Sequence, residues 1–319
     1  MNNTESNHDA MRVFLENMLG EAELARNIGV DVDSKTIVES NIDKIREIAE
    51  EGLPLAKLLD ASDVVFHAEG PGASHDLPSL SSLNWVTSTI ERNLRRLSGN
   101  LLDLFSKDGA KLAKKLDFRM SGMAPGSVWV GTKLAQPEPG ILEGDESLTE
   151  TIVGELQRLP QAAAYVDDER VLSSIQEFFP DPALRDASLE TLLRFSATGQ
   201  KGIHTLGLSA QGHGSARLSQ RERVVLRNAL KKRMEGNYHK GSFQGEVRGA
   251  DLDKARFHLK TKDGTLRCVV QDMSADKARE IFGRTVLVHG DYQTDREGRP
   301  RLLYVSDIKP VGTSPLDLE

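Results

Sequence analysis

The stretch that decides the fold lies near the C-terminal end of the chain. Residues 243–309 read FQGEVRGADLDKARFHLKTKDGTLRCVVQDMSADKAREIFGRTVLVHGDYQTDREGRPRLLYVSDIK. Apolar and polar residues alternate there in five short runs, which is the period of a half-buried β-strand. Asp263-Gly264 adds a hairpin signal between the second and third runs. The alternation predicts an apolar inner face formed by Val247, Phe257, Cys268, Val286, Val288 and Val305.

A helix-like segment interrupts this alternation after the third run. It covers residues 274–282 and is followed by Gly283, a residue typical of helix C-termini. The predicted order is therefore three strands, a helix and two strands. That order resembles the OB-fold, a five-stranded barrel, here with the helix between its third and fourth strands. The resemblance implies an OB-like β-barrel at residues 241–310 and a short tail at residues 311–319.

The sequence of the middle of the chain predicts an α+β domain at residues 60–235, with a helical connector before the barrel. Val64-Val65-Phe66 indicates a strand, and apolar residues then recur every three or four positions from Leu83 to Leu104, as on one face of a helix. A hairpin is predicted around Ala124-Pro125-Gly126-Ser127. Further segments are predicted as helices at 148–159, 170–179 and 183–195, a strand at 203–208, a loop at 211–215, and a helix opened by a capping box at 219–222.

This middle region is similar to uncharacterised bacterial proteins that have a strand, a long helix and a hairpin containing Pro-Gly-Ser. That resemblance implies an antitoxin-like or phage-defence-associated setting. Fold alone does not give function, so function has to be inferred from the chemistry of particular residues.

Residues 1–59 form a predicted acidic helical head. Residues 1–60 carry 6 Lys and Arg against 13 Asp and Glu. Residues 23–30 resemble the first helix and turn of a helix-turn-helix, which would make the chain a DNA-binding transcription regulator. The turn is about two residues too long, and the following helix is acidic, which disfavours contact with phosphates. An ordinary helical hairpin is favoured, with these residues buried: Val38, Ile42, Ile45 and Ala49.

Composition excludes several classes of protein. Hydrophobic residues make up 38% and charged residues 28% of the chain, as in globular proteins. No apolar run approaches the roughly 20 residues of a membrane helix, and the first ten residues lack the apolar core of a signal peptide. We therefore expect a cytoplasmic protein with no membrane partner. The single cysteine, Cys268, forms no internal disulfide, and no Cys/His cluster has zinc spacing, so neither a metal nor a cofactor is expected.

No motif predicts a catalytic residue. Gly212-His213-Gly214-Ser215 lacks the second glycine of a nucleophile elbow, because position 217 is Arg. Glu69-Gly70-Pro71-Gly72 lacks the Lys-Ser/Thr of a phosphate-binding loop. An enzyme with no recognisable motif is the third hypothesis for function.

The basic part of the chain is the better candidate for function. Residues 213–262 carry 13 Lys and Arg against 5 Asp and Glu. Arg223, Arg227 and Lys231 share one helix face, and Arg256 and Lys260 are predicted to point outward from a barrel strand. We expect these five residues to form a basic surface that contacts an acidic protein or a nucleic-acid backbone. The leading hypothesis is a non-enzymatic binding or regulatory protein; alternatively, the acidic head covers this surface.

Overall fold

A computed structural model describes residues 7–27, 42–74, 77–105, 113, 115–124, 127–135, 146–234, 236–251, 255–270 and 274–311. These residues form N-terminal helices, a five-stranded sheet covered by helices, and a closed five-stranded barrel. The α+β fold class predicted from the sequence is confirmed. In the described part of the chain, no helix is both long and apolar enough to cross a lipid bilayer.

The N-terminal helices pack on the middle sheet. Helix α1 is Asn7–Asn27, and a π-helical turn at Ile48–Gly52 leads into helix α2, Leu53–Ala61. Asp60 joins the two helices, because its carboxylate accepts hydrogen bonds from the backbone N–H groups of Asn7 and His8 at 3.0 and 2.9 Å.

The predicted buried positions of the head are only partly right. Ile42 is 45% exposed and Ala49 is exposed, whereas Ile48 is buried. The prediction that Ile42 and Ala49 are buried is therefore wrong, because the buried face of this helical segment passes through Ile48 instead. Val38 and most of the proposed helix-turn-helix lie outside the described residues.

The middle sheet is antiparallel throughout, with strand order β2-β3-β1-β4-β5. The strand predicted at 203–208 is present as β4, which pairs with β1. Residues 211–213 of the predicted loop form the turn after β4, and its last two residues begin a fifth strand that the sequence did not predict, since its polar residues give little alternation. The strands are β1 Val64–Glu69, β2 Phe118–Ala124, β3 Val128–Leu134, β4 Thr205–Ala210 and β5 Gly214–Ser219.

Helices cover one face of this sheet. The longest, α3, is Leu80–Phe105, and its predicted apolar stripe packs into the core with Phe66 of β1. The predicted helix at 170–179 is reduced to the short α6, since Val166 and Val171 form an isolated β-bridge before it. The remaining helices of this region are α4 Glu146–Gln157, α5 Leu159–Ala163, α6 Ile175–Phe178, α7 Pro182–Phe195 and α8 Gln220–Lys231.

Helix α8 begins with the predicted capping box. Ser219 accepts a hydrogen bond from the backbone N–H of Arg221, and the Glu222 carboxylate accepts one from the backbone N–H of Ser219 at 2.7 Å. These bonds satisfy amide groups that a helix start leaves free. The capping box thus fixes where α8 begins after β5.

The C-terminal strands close into a barrel in the order β10-β8-β7-β6-β9. All neighbours are antiparallel except β8 and β10, which are parallel, and helix α9 (Ala275–Ile281) lies between β8 and β9 in the chain. This closed mixed barrel is consistent with the predicted OB-like barrel. The strands are β6 His239–Asp251, β7 Arg256–Thr261, β8 Gly264–Val270, β9 Thr285–Thr294 and β10 Pro300–Pro310.

The barrel interior contains the residues that the alternation predicted. Val247, Phe257, Cys268, Val286 and Val288 are at most 1% exposed and pack in one cluster. Val305 is half-buried at its edge. Burial raises the pKa of the Cys268 thiol, so this cysteine serves as a small apolar core residue.

We predict that Val288→Asp unfolds the barrel. The substitution places a carboxylate without a partner in an apolar core, at a cost of several kcal/mol in the free energy of unfolding. Urea unfolding followed by circular dichroism measures the loss. Val224→Asp is the matched control, because Val224 is 54% exposed on α8 and should change stability by no more than about 1 kcal/mol. Equal effects of the two substitutions would contradict the prediction.

Candidate functional sites at the barrel interface

The outer face of β7 and β8 is the first candidate site. It carries Arg256, His258 and Arg267, which point out of the barrel as their alternation predicts. All three are nevertheless buried, at 5%, 3% and 1% exposure. Helix α7 and the end of α3 cover them, so this face is an internal interface between the barrel and the middle region.

Two carboxylates of α7 hold the two arginines. Asp186 accepts hydrogen bonds from Arg256 Nε and Nη2, both at 2.8 Å, and from Arg267 Nε at 2.6 Å. Glu190 accepts from Arg267 Nη2 and, at 2.6 Å, from Arg194 Nη2. Four residues form what we call the interface ion cluster, and each is at most 6% exposed: Asp186, Glu190, Arg256 and Arg267.

Charge attraction outweighs burial in this cluster. Burial alone would raise the pKa of Asp186, but the attraction and hydrogen bonds of Arg256 and Arg267 hold it far below the ordinary value. Likewise, burial raises the pKa of Glu190, and Arg267 and Arg194 more than reverse that effect. Both carboxylates are therefore ionised, and the barrel is held by charge-assisted hydrogen bonds.

A histidine and a helix cap add to the same interface. Arg267 Nη1 lies 3.3 Å from His258 Nε2, and because guanidinium only donates, Nε2 is the accepting nitrogen. In neutral His258 the proton is then on Nδ1, which lies 3.2 Å from Asp103 Oδ2. At the other end of α7, Arg301 Nε of β10 donates to Asp181 Oδ2 at 2.8 Å. The other oxygen of Asp181 caps α7.

The five residues predicted as one basic surface therefore do not form one. The prediction that Arg256 faces solvent is wrong, because α7 covers it. Arg223 is half-buried and donates to the carbonyl oxygens of Leu193 and Ser196 at the end of α7. Lys260 is half-buried, and Arg227 and Lys231 are exposed on α8. Whether any of them binds a partner stays a prediction.

A polar cleft between the barrel and the middle region is the second candidate site. Its volume is about 420 Å³, within the range of small-molecule sites. Its floor includes the buried side chains of Arg185 and Gln293, and Arg296 and His239 lie at its exposed rim. The other lining residues are Gln176, Glu177, Pro180, Pro182, Asn237 and Thr294.

Arg185 differs from the other buried arginines. It is 4% exposed and donates to Gln293 Oε1 at 2.9 Å and to the carbonyl oxygen of Phe179 at 3.3 Å. Among the described residues, no carboxylate lies within ion-pair distance of it. Burial lowers its pKa, and the more distant Tyr304, Tyr238, Asp186 and Asp181 only partly offset this. A buried guanidinium with only neutral hydrogen-bond partners is costly, and it lines the cleft.

Sequence reasoning missed Arg185, because the helix around it was predicted to be amphipathic. An amphipathic helix would place an arginine in solvent, whereas α7 is buried on nearly all sides. No local signal marks Arg185 as buried, because a polar run such as Arg185-Asp186-Ala187-Ser188 is typical of an exposed helix face. No group of three His, Cys, Asp or Glu residues that could hold a metal occurs in the part of the chain that the structure describes.

No protein-family model matches this chain, and no curated protein matches it either. The geometry of these sites is therefore the basis for proposing a function.

We predict that Asp186→Asn destabilises the whole fold. It removes the carboxylate that Arg256 and Arg267 share, and breaking a buried ion pair in this way costs about 3–5 kcal/mol. Asp168→Asn is the matched control: Asp168 pairs with Arg221 at the surface, where such pairs contribute about 0–1 kcal/mol. Urea unfolding of both variants measures the difference. A loss below about 1 kcal/mol for Asp186→Asn would contradict the prediction.

The same cluster predicts an acid-sensitive fold. Because the pKa of Asp186 is lower in the folded than in the unfolded chain, its contribution to stability is fully present above the unfolded value near 3.9. That contribution is lost progressively as pH falls below this value. Unfolding free energy measured against pH should therefore fall more steeply in the native protein than in Asp186→Asn. Parallel curves would contradict the prediction.

Proposed function

We propose that this chain is a binding or regulatory protein that contacts an acidic partner through its C-terminal half, and that the contact is made by a phosphate group in the polar cleft. The observation that carries the proposal is the buried Arg185 guanidinium, which has two neutral acceptors and no described carboxylate. A bound anion would supply the missing counter-charge.

The hydrogen-bonding capacity of Arg185 supports an oxyanion as ligand. A guanidinium has five N–H donors, and the two acceptors described here leave the others available. Two parallel N–H groups match two oxygens of a phosphate or carboxylate. Arg185 sits on a helix within the core, so its geometry is fixed before a ligand arrives and less ordering is needed on binding.

The charges of the cleft favour phosphate over carboxylate. Arg185 and Arg296 line the cleft together with a single described carboxylate, Glu177, so the described lining carries more positive than negative charge. A phosphate monoester carries up to two negative charges, and its third oxygen can reach the rim. The size of the cleft suits one phosphorylated small molecule or one nucleotide of a chain, rather than the side of a protein.

Two other hypotheses from the sequence stay predictions. A regulator that reads DNA with the N-terminal helices depends on residues 28–41, which lie outside the described residues. The antitoxin-like or phage-defence-associated setting depends on a partner of unknown identity. The exposed Arg227 and Lys231 of α8 provide a different contact for an acidic protein, and the experiment below separates it from the cleft.

We predict that the protein binds inorganic phosphate and a nucleoside 5′-monophosphate, measured by isothermal titration calorimetry at low salt. Arg185→Gln should abolish binding while the circular dichroism spectrum is retained. Arg296→Gln should weaken binding by roughly ten-fold or more, because a hydrogen bond to a charged group contributes about 1.5–3 kcal/mol. Arg284→Gln is the matched control, since Arg284 is exposed on the same barrel and does not line the cleft.

Further ligands identify the source of the phosphate. A short single-stranded oligonucleotide that binds more tightly than the mononucleotide, with an affinity that falls steeply with salt, would assign a nucleic-acid backbone. Binding that is absent for all phosphates would overturn the proposal. So would binding that survives Arg185→Gln and Arg296→Gln but is lost in Arg227→Glu/Lys231→Glu, which would assign the contact to α8.

A further inference from the structure

The second face of the middle sheet carries a cluster of polar side chains. Strand β1 sends Phe66 and Ala68 into the main core, and the alternation turns His67 and Glu69 to the opposite face. Strand β3 pairs with β1 so that His67 lies opposite Trp129. Ser127 immediately precedes β3 and is thereby brought next to His67. The pairing of two strands therefore assembles residues from distant parts of the sequence.

Three of these side chains, those of Ser127, His67 and Glu69, lie in a row. The hydroxyl of Ser127 hydrogen bonds with His67 Nε2, and His67 Nδ1 lies 3.2 Å from Glu69 Oε1. The imidazole ring stacks on Trp129 with the ring centres 3.7 Å apart and the planes within 3°. The side chains of His67 and Glu69 are 14% and 27% exposed, and Ser127 is half-buried. Both ring nitrogens are thus engaged, and the ring plane is fixed.

We infer that Ser127, His67 and Glu69 form a catalytic triad for acyl transfer, with Ser127 as the nucleophile acting on esters. The order of atoms is that of serine hydrolases: hydroxyl, Nε2, Nδ1 and carboxylate. Such triads are recognised by geometry and not by position in the sequence. This site is distinct from the polar cleft and does not depend on the proposed function.

Each residue has a defined part in the reaction. As the Ser127 oxygen bonds to the carbonyl carbon of an ester, His67 Nε2 takes the hydroxyl proton, and Glu69 stabilises the resulting imidazolium. When the tetrahedral intermediate collapses, the C–O bond to the alcohol breaks and His67 returns the proton to the alcohol. Water then attacks the acyl-serine with His67 again as the base, which releases the carboxylic acid and restores Ser127.

The surroundings of His67 keep it in the form that accepts a proton. Burial lowers the pKa of His67; the neighbouring Glu69 raises it, and Arg217 of β5 lowers it further. Arg217 reaches Glu69 across Gly207, the residue of β4 that lies opposite His67. The imidazole is therefore neutral at neutral pH, as a general base requires.

The test is covalent labelling by a fluorophosphonate, followed by intact mass and peptide mapping. Attack by Ser127 forms an O–P bond and expels fluoride, and the hydroxyl proton passes to His67. We expect one adduct, located at Ser127, and none in Ser127→Ala. Ser215→Ala is the matched control, because Ser215 is an exposed serine of the same sheet and should leave the labelling unchanged. His67→Ala should slow labelling by roughly 100-fold or more, with partial recovery on addition of imidazole.

Two further variants separate catalysis from structure. Glu69→Gln and Arg217→Gln break the same Glu69–Arg217 ion pair, so a purely structural role predicts equal changes in labelling and in melting temperature. The triad predicts that Glu69→Gln slows the labelling more than Arg217→Gln does, and that hydrolysis of an activated ester follows the same order.

Absence of an adduct at Ser127 in the folded native protein would overturn the inference. So would equal labelling of native protein and His67→Ala, or equal slowing by Glu69→Gln and Arg217→Gln.

Discussion

The side chains of Arg256 and Arg267 point outward from the barrel, and their guanidinium groups are buried. Both groups donate hydrogen bonds to the carboxylate of Asp186 on α7. The guanidinium groups and the carboxylate depend on each other, because an isolated buried charge is far less stable than a paired one. The constraint fixes the rotation of the barrel on the helix, since three nitrogen atoms must reach two carboxylate oxygens. Arg185 directly precedes Asp186 on the same helix. The same arrangement therefore also sets the position of the cleft that Arg185 lines.

The interface also changes what kind of binding the barrel can perform. OB-folds that hold single strands use the face of their second and third strands, which here are β7 and β8. In this protein, the carboxylates of Asp186 and Glu190 lie where an anionic ligand would otherwise approach that face. The sequence left open that the acidic head covers this face. None of the contacts described for the outer face of β7 and β8 involves the described part of that head. That face is therefore closed to a ligand, whereas the cleft beside the interface retains a buried positive charge.

The sequence predicted the elements well where the deciding pattern is local. The alternation around Val288 and the three-to-four spacing before Leu104 identified the barrel and the long helix, because burial of one face repeats within a few residues. Contacts between distant segments left no such pattern. Arg256 meets a carboxylate 70 positions away, and His67 meets a serine 60 positions away. The alternation therefore correctly predicted that Arg256 points out of the barrel. It could not predict that a helix covers this side chain.

The position of α7 in the chain has a consequence for how the protein is made. During synthesis, Asp186 and Glu190 leave the ribosome well before Arg256 and Arg267, and domains generally fold in the order of their synthesis. Until the barrel strands follow, the middle region exposes a helix face on which the carboxylates of Asp186 and Glu190 lack the arginines of the barrel. The packing on this face of α7 is thus completed only after β7 and β8 have been synthesised. A chain that ends before the barrel lacks Arg256 and Arg267, so the C-terminal quarter supplies the counter-charges of a helix made much earlier.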